Sequence, residues 1–168
     1  AHVNLKKVTE AKKNYLKAIE IEPNNLLANY NLANLLKRLG DHTNSEFYYK
    51  KAIEINPKYL PAYNNVLDLY DKSNQNEKLN NLIYSAEKIF KDDQVINSFK
   101  AKLLFKNKRY KEVVTLLEKV EFLPEQIVQK QASYEVLAKS YDKIGNYEKA
   151  FELFQILNDI MDKGKDKT

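Results

Sequence analysis

The sequence repeats itself with a period of 34 residues, and this period constrains the fold more than any other feature. Residues 18–23 (AIEIEP) recur 34 positions later as residues 52–57 (AIEINP), and Tyr15 recurs as Tyr49. Later copies keep apolar residues at the same positions, and the last copy is displaced by three extra residues near Pro124. A unit of this length buries its apolar face only by stacking on its neighbours. The chain is therefore predicted to be an array of stacked copies.

Apolar residues recur at steps of three and four within each copy, which indicates amphipathic helices rather than strands. With only 3 Gly and 4 Pro in 168 residues, the chain lacks the turn residues of a β-sandwich or barrel. Gly40 and Gly145 occupy the same place between the two halves of a unit, where Asn74 and Lys108 stand in other copies. We expect a left-handed residue to end a helix at all four positions, with the weakest cap at Lys108. The predicted fold class is all-α.

The period divides the chain into a single array of five units and a tail. The predicted units cover residues 1–25 (partial), 26–59, 60–93, 94–130 and 131–163, followed by a polar tail at 164–168. The predicted helices cover residues 7–21, 26–39, 43–55, 60–72, 75–90, 94–106, 109–120, 125–143 and 147–162. We expect residues 1–5 to end a preceding helix, Pro124 to lie at the start of the eighth helix, and Asp92 with Asp93 to cap a helix start.

Small and large residues recur in a way that indicates close helix packing. The small residues that recur where two helices must approach are Ala33, Ala52, Ala86, Ala101, Ala138 and Ala150. Tyr49, Tyr70 and Tyr141 are predicted to fill the neighbouring space. These tyrosines are therefore assigned to the core rather than to a binding site.

The second unit carries the features of a known repeat family. Its pattern comprises Tyr30, Leu32, Ala33, Leu36, Gly40, Asp41, Ser45, Tyr49, Ala52 and Pro57. This helix–turn–helix unit, with small residues in both helices and Pro after the second, resembles the tetratricopeptide repeat, although Asn29 stands where the family has Trp. The resemblance covers the chain as about four full repeats plus the second helix of a preceding one. It implies a right-handed α-solenoid of stacked antiparallel helix pairs, whose concave groove is lined by the first helix of each unit.

The residues that catalysis and metal binding require are scarce. The chain has 2 His and no Cys, so neither a His-Glu-x-x-His zinc motif nor a cysteine nucleophile is present. Its 3 Gly cannot form a phosphate-binding loop. No apolar stretch reaches the roughly 20 residues of a membrane helix. We therefore predict that the chain is not an enzyme, has no cofactor or metal site, and does not enter a membrane.

The surface predicted to bind a partner is the groove, as the resemblance implies. Its candidate residues are Tyr30, Asn31, Asn34, Asn64, Asn65, Asp68, Lys72, Phe99 and Lys102. Asparagine amides can bind a peptide main chain because they carry both donors and an acceptor. Asn31 and Asn65 occupy the position where repeats of the O-GlcNAc-transferase type carry an asparagine ladder. Asparagine is common in this sequence, however, and the next two positions hold Phe99 and Val136.

The net charge of +5 leaves two interpretations of this surface. A basic stripe that attracts an acidic peptide or nucleic acid would consist of Lys37, Arg38, Lys72, Lys102 and Lys106. Because Asp68, Asp71 and Glu135 interrupt the stripe, a solvated face of mixed charge is favoured. Asp68 would also repel the terminal carboxylate that some domains of this family bind, so that clamp is predicted to be absent. Nucleic acid is disfavoured because aromatic and basic residues do not alternate in a way suited to base stacking.

The leading prediction is a non-catalytic protein–protein interaction module or scaffold that binds an extended peptide or a helix in the groove. One alternative is a recruiting or regulatory arm of a larger enzyme, since the unit from Leu137 to Phe151 loosely resembles repeats that precede the catalytic domain of some bacterial sulfotransferases. Another is a scaffold that self-associates through its ends. The predicted partner is another protein or peptide. A cytoplasmic location is expected because the first residues carry no targeting presequence.

Overall fold

The computed structural model describes the backbone of residues 2–165 and the side chains of residues 6–162. In this part of the chain every element of regular secondary structure is a helix, which agrees with the predicted all-α fold. The helices are α1 (His2–Ile21), α2 (Leu26–Arg38), α3 (His42–Ile55), α4 (Leu60–Lys72), α5 (Asn76–Glu87), α6 (Gln94–Lys106), α7 (Tyr110–Leu117), α8 (Ile127–Lys143) and α9 (Tyr147–Lys165).

Several helix ends differ from the predicted map. α1 is continuous from His2, so the prediction that residues 1–5 end a preceding helix is wrong for residues 2–5. The physical reason is that no Gly or Pro interrupts the helix between His2 and Ile21. α5 and α7 end about one turn earlier than predicted. α9 includes Gly164 of the predicted tail, whereas residues 166–168 lie outside the described residues.

The segment between α7 and α8 absorbs the three extra residues of the last copy. Pro124 lies in this segment, before α8, and the prediction that it starts the helix is wrong. Two contacts order the segment instead. The Leu123 amide donates to Gln126 Oε1 at 2.9 Å, and the Phe122 ring packs edge-on against Tyr134 with ring centroids 5.7 Å apart. Side-chain contacts, rather than a proline cap, thus set where α8 begins.

The predicted left-handed residues are present in all four turns. The φ angles are +79° at Gly40, +82° at Gly145, 54° at Asn74 and 59° at Lys108. In each turn the amide of the next residue donates at 2.9 Å to a carbonyl in the last turn of the preceding helix. This bond belongs to the Schellman motif, which ends a helix and reverses the chain. Asp93 caps α6 as predicted, because its side chain accepts from the Val95 amide at 2.8 Å.

The chain divides into two compact units, residues 1–78 and residues 79–168, with the boundary inside α5. In the first unit α1 packs on α2, α2 on α3, and α3 on α4. In the second unit α6 packs on α7 and α8, α7 packs on α8, and α8 packs on α9. Each unit is therefore built from sequential helices that pack on their neighbours.

The predicted core positions are buried. The six alanines predicted to lie at close helix approaches are at most 4% exposed, and so are Tyr49, Tyr70 and Tyr141. Ser45 takes the small-residue position in α3, and its hydroxyl donates to the Ala33 carbonyl at 2.9 Å. This bond satisfies a polar group that has no access to water. Small residues therefore allow close helix packing here, as the period predicts.

Asn29, which departs from the family pattern, has a structural role in the turn before α2. It is 1% exposed. Its amide donates to the Pro23 carbonyl at 3.1 Å and to the Asn25 carbonyl at 2.8 Å. The Asn25 side chain in turn caps α2 by accepting from the Ala28 amide at 2.9 Å. Asn29 thus fixes the joint between α1 and α2 through hydrogen bonds.

A tyrosine, a glutamate and a lysine form the same arrangement in both units. The two sets are Glu46, Tyr70 and Lys78 in the first unit and Glu118, Tyr141 and Lys149 in the second. The tyrosine hydroxyl donates to the glutamate Oε1 at 2.7 Å in the first set and 2.8 Å in the second. The lysine ammonium lies 5.4 Å and 5.1 Å, respectively, from the centroid of the tyrosine ring. The tyrosine and the lysine hold equivalent positions of the repeat in both units, whereas the glutamate comes from a different position in each.

Candidate functional site

Most of the predicted groove residues come together on one face of the first unit. We call this surface the α2–α4 face and define it by Tyr30, Asn31, Asn34 and Lys37 of α2 with Asn64, Asn65, Asp68 and Lys72 of α4. Within each helix these residues follow helical spacing, so their side chains share one side. The two helices are joined across the face by an ion pair of 2.7 Å between Lys37 and Asp68.

A carboxylate shared by two lysines lies within the α2–α4 face. Asp68 accepts from Lys37 Nζ at 2.7 Å and from Lys72 Nζ at 3.0 Å. Burial alone would raise the pKa of Asp68, but the hydrogen bonds and charges of the two lysines outweigh it and hold the pKa below its usual value. Asp68 therefore adds no uncompensated negative charge to the face. The pairing interrupts a basic stripe in this unit, while two lysines against one carboxylate leave this part of the face with a net positive charge.

Both the oxygen and the nitrogen of the Asn65 side-chain amide are hydrogen-bonded to neighbouring residues. Its Oδ1 accepts from Lys37 Nζ at 3.1 Å, while its Nδ2 donates to the Tyr30 hydroxyl and to the Pro61 carbonyl, both at 3.1 Å. Both amide hydrogens thus have acceptors. Asn65 orients Tyr30 and Lys37 and does not present a free amide.

Asn31 and Asn64 carry the free amides of the face. Neither side chain makes a hydrogen bond to any residue that the structure describes, and Asn64 is exposed while Asn31 is half-buried. Asn31 lines a cavity of about 350 Å³ between α1 and α2, together with Tyr15, Asn34 and Arg38. Asn31 and Asn65 are therefore unlike each other, although the period makes them equivalent. Of the two residues at the asparagine-ladder position, Asn31 has a free side-chain amide, whereas the side-chain amide of Asn65 is already hydrogen-bonded.

Tyr30 is held by two other tyrosines. Its ring centroid lies 5.8 Å from that of Tyr49 and 5.1 Å from that of Tyr59, with an edge-on contact to Tyr59. The Tyr49 hydroxyl donates to Asn34 Oδ1 at 2.6 Å. Burial raises the pKa of Tyr49, so this hydroxyl remains a protonated donor. Asn34 and Tyr30 are thus positioned from the core side of the face.

The sequence prediction missed Tyr59 as a part of this site. Tyr59 occupies the N-cap position of α4 but makes no side-chain cap bond there. The corresponding positions before α2 and α6 hold Asn25 and Asp93, both of which cap their helices. A large aromatic residue at a capping position is therefore the sequence signal that could have indicated a role in packing on Tyr30.

The two candidates from α6 belong to the second unit. Phe99 is only 5% exposed, so the prediction that it offers binding surface is corrected. The physical reason is that a phenyl ring gains more from burial than from exposure to water. The Lys102 ammonium lies 5.1 Å from the centroid of this ring, a distance typical of a cation–π contact. Lys102 itself is half-buried.

Among the described side chains, those of residues 6–162, no group of three or more His, Asp and Glu is placed to hold a metal ion. None of the helices in the described part combines the length and apolar character needed to cross a membrane.

Two family models of the same repeat type match the first part of the chain. A family model described as tetratricopeptide repeat matches residues 26–59, and another described as TPR repeat matches residues 1–40. No curated protein has a sequence that matches this chain significantly.

Solved structures extend the likeness to nearly the whole chain. A structure of MamA, residues 41 to the end, from Desulfovibrio magneticus RS-1 is similar with a TM-score of 0.70 and 15% identity, covering 96% of this chain and 89% of that chain. A tetratricopeptide repeat protein from Parabacteroides merdae ATCC 43184 has a TM-score of 0.72 and 20% identity, with coverages of 95% and 62%. YrrB, described as a TPR protein with an unusual peptide-binding site, has a TM-score of 0.55 and 19% identity, with coverages of 87% and 91%. The predicted fold class, an all-α helical-repeat solenoid, is confirmed.

Proposed function

Because this chain belongs to the tetratricopeptide repeat family, whose fold serves as a scaffold for protein–protein interactions, we propose that it is a non-catalytic module that binds an extended peptide on the α2–α4 face. One observation carries the proposal. Two free asparagine amides, on Asn31 and Asn64, flank a network in which Tyr30, Lys37 and Asn65 already hold one another.

The chemistry of this face suits a peptide main chain. An extended peptide offers unpaired N–H and C=O groups, and an asparagine amide can bind one of each. The neighbouring side chains are fixed by hydrogen bonds before a peptide arrives, so less side-chain entropy is lost on binding. The half-buried Tyr30 ring adds an aromatic surface with a polar end.

The charges of the face suggest the kind of peptide. Lys37 and Lys72 share the single carboxylate of Asp68, which leaves an excess positive charge. The Lys72 side chain is 73% exposed and can reach a bound partner. We therefore expect the preferred peptide to carry an acidic side chain next to its main-chain contacts.

The experiment begins with selection of peptides from a random library displayed on phage, using the intact chain. A selected peptide is then titrated calorimetrically against the wild type and against Asn31→Ala with Asn64→Ala. We expect the Kd to rise at least about tenfold in this double variant, the effect of losing about 1.4 kcal/mol.

The matched control replaces two exposed asparagines elsewhere, Asn14→Ala with Asn158→Ala, and should leave the Kd unchanged. The proposal fails if no peptide is selected, or if the selected peptide binds the Asn31 and Asn64 variant as tightly as the wild type.

A second function, self-association, is favoured by one observation on α9. Its exposed apolar residues include Tyr147 at 70%, Phe151 at 63% and Met161 at 51%. Soluble monomers rarely expose a contiguous apolar strip, because it binds other apolar surfaces. Light scattering over a concentration series tests this: a mass that rises with concentration supports self-association, and a constant monomer mass excludes it.

A further inference from the structure

α9 exposes two neighbouring rows of side chains with different chemistry. The α9 apolar row consists of Tyr147, Phe151, Phe154 and Met161, all of them exposed. The α9 acidic row, which runs beside it, consists of Glu148, Glu152, Asp159 and Asp162. Both rows follow helical spacing. The acidic row lies opposite Ala150 and Leu157, the buried residues of α9, and the apolar row lies between these two sides. Glu148, Glu152 and Asp159 form no ion pair within the described residues.

α1 exposes the opposite charge. It carries five lysines against two glutamates. We call Lys6, Lys13 and Lys17 the α1 basic row, since they share the side of α1 that faces away from Ala11 and Tyr15. None of these three lysines pairs with a carboxylate in the part of the chain that the structure describes. Beside the row, Leu16 is 40% and Ile21 76% exposed.

We propose that the α9 rows of one copy dock on the α1 basic row of a second copy. This inference rests on the proposed self-association and names the two surfaces that form it. The lysines meet the carboxylates of Glu148, Glu152 and Asp159, and their alkyl stems cover the exposed aromatic rings while the ammonium groups lie over them. Leu16 and Ile21 flank the basic row on its two sides, so an apolar side chain borders the row at whichever edge the apolar row meets.

Charge also decides against the two symmetric alternatives. A contact between two α9 helices would bring two acidic rows together, and a contact between two α1 helices would bring lysines together. Like charges placed opposite one another oppose association. The favoured contact therefore joins different surfaces of two copies and leaves one surface of each free. Such a contact adds copies one at a time, or closes a ring, and does not stop at a dimer.

Charge reversal tests the contact. The α9 variant carries Glu148→Lys with Glu152→Lys, and the α1 variant carries Lys13→Glu with Lys17→Glu. In each variant two positions of one row acquire the charge of the row that faces them, so attraction becomes repulsion there and the concentration needed for assembly should rise at least about tenfold. An equimolar mixture of the two variants again pairs opposite charges and should assemble like the wild type. Light scattering measures all three samples.

The control variant, Lys111→Glu with Lys119→Glu, changes the net charge as the α1 variant does but at exposed positions outside α1 and α9. It should assemble like the wild type. If the wild type assembles but the reversed variants do so equally well, or their mixture does not recover, the α1–α9 contact is wrong while self-association stands. If the wild type stays monomeric throughout, self-association itself is wrong and the contact with it.

Discussion

At the scale of single residues, the neighbours of Asp68 change the charge that it presents to a ligand. Its position in the sequence indicates a carboxylate facing the groove, where it would repel an acidic ligand. In the folded chain Lys37 and Lys72 both bind it, at 2.7 Å and 3.0 Å. Since the carboxylate is three-quarters buried with these partners, the face offers ammonium groups rather than a free negative charge.

The lowered pKa of Asp68 predicts a pH-dependent contribution to stability. Because its folded pKa lies below its unfolded value, the contribution is fully present above the unfolded value of about 3.9 and is lost as the pH falls through the folded pKa. Asp68→Asn should therefore lower the free energy of unfolding by about 1 kcal/mol at neutral pH and by progressively less in acid. Urea unfolding at a series of pH values measures the difference.

The matched control for this prediction is Asp142→Asn, which removes an exposed carboxylate without an ion pair in the described residues. It should change the free energy of unfolding by less than about 0.5 kcal/mol. An effect of Asp68→Asn that is equally large at neutral and acid pH would contradict the assigned ion pairs.

The sequence could predict which residues share the α2–α4 face, because helical spacing determines the side on which each residue lies. It could not predict that Asn65 is bound while Asn31 is free. That difference depends on rotamers and on contacts to Tyr30 and Lys37, residues about one repeat away in the sequence. The burial of Phe99 could not be predicted for a similar reason. Helical spacing gives the side of α6 on which Phe99 lies, but not which residues cover that side.

At the scale of helices and turns, the features that the sequence can predict are those that local backbone conformation determines. The four left-handed turn residues were predicted because one position must reverse the chain in every repeat. The start of α8 could not be predicted from Pro124, because side-chain contacts of Phe122 and Gln126 set it instead. Sequence patterns therefore located the turns better than the exact ends of the helices.

Lys108 provides a test of the turn assignment. It adopts a φ of 59°, where its β-carbon is strained, whereas Gly40 and Gly145 hold the matching positions without strain. Lys108→Gly should raise the free energy of unfolding by about 0.5–1 kcal/mol in urea unfolding. Lys13→Gly, inside α1, should instead lower it by about 1 kcal/mol. A loss of stability in Lys108→Gly would show that the turn is misassigned.

At the scale of the whole molecule, two kinds of surface carry the proposed functions. The α2–α4 face combines free amides with a fixed polar network, which suits an extended peptide. The α9 rows and the α1 basic row have opposite charges, which suits a contact between copies. The two proposals use different residues, so each can fail without the other.

The most direct test of the peptide-binding face is nuclear magnetic resonance of the side-chain amides in a ¹⁵N-labelled chain. A selected peptide is added while the asparagine resonances are followed. Binding on the α2–α4 face predicts that the amides of Asn31 and Asn64 shift as the peptide saturates the site, while those of Asn14 and Asn158 stay in place. Saturable shifts that leave Asn31 and Asn64 unchanged would contradict the proposal and place the peptide elsewhere on the molecule.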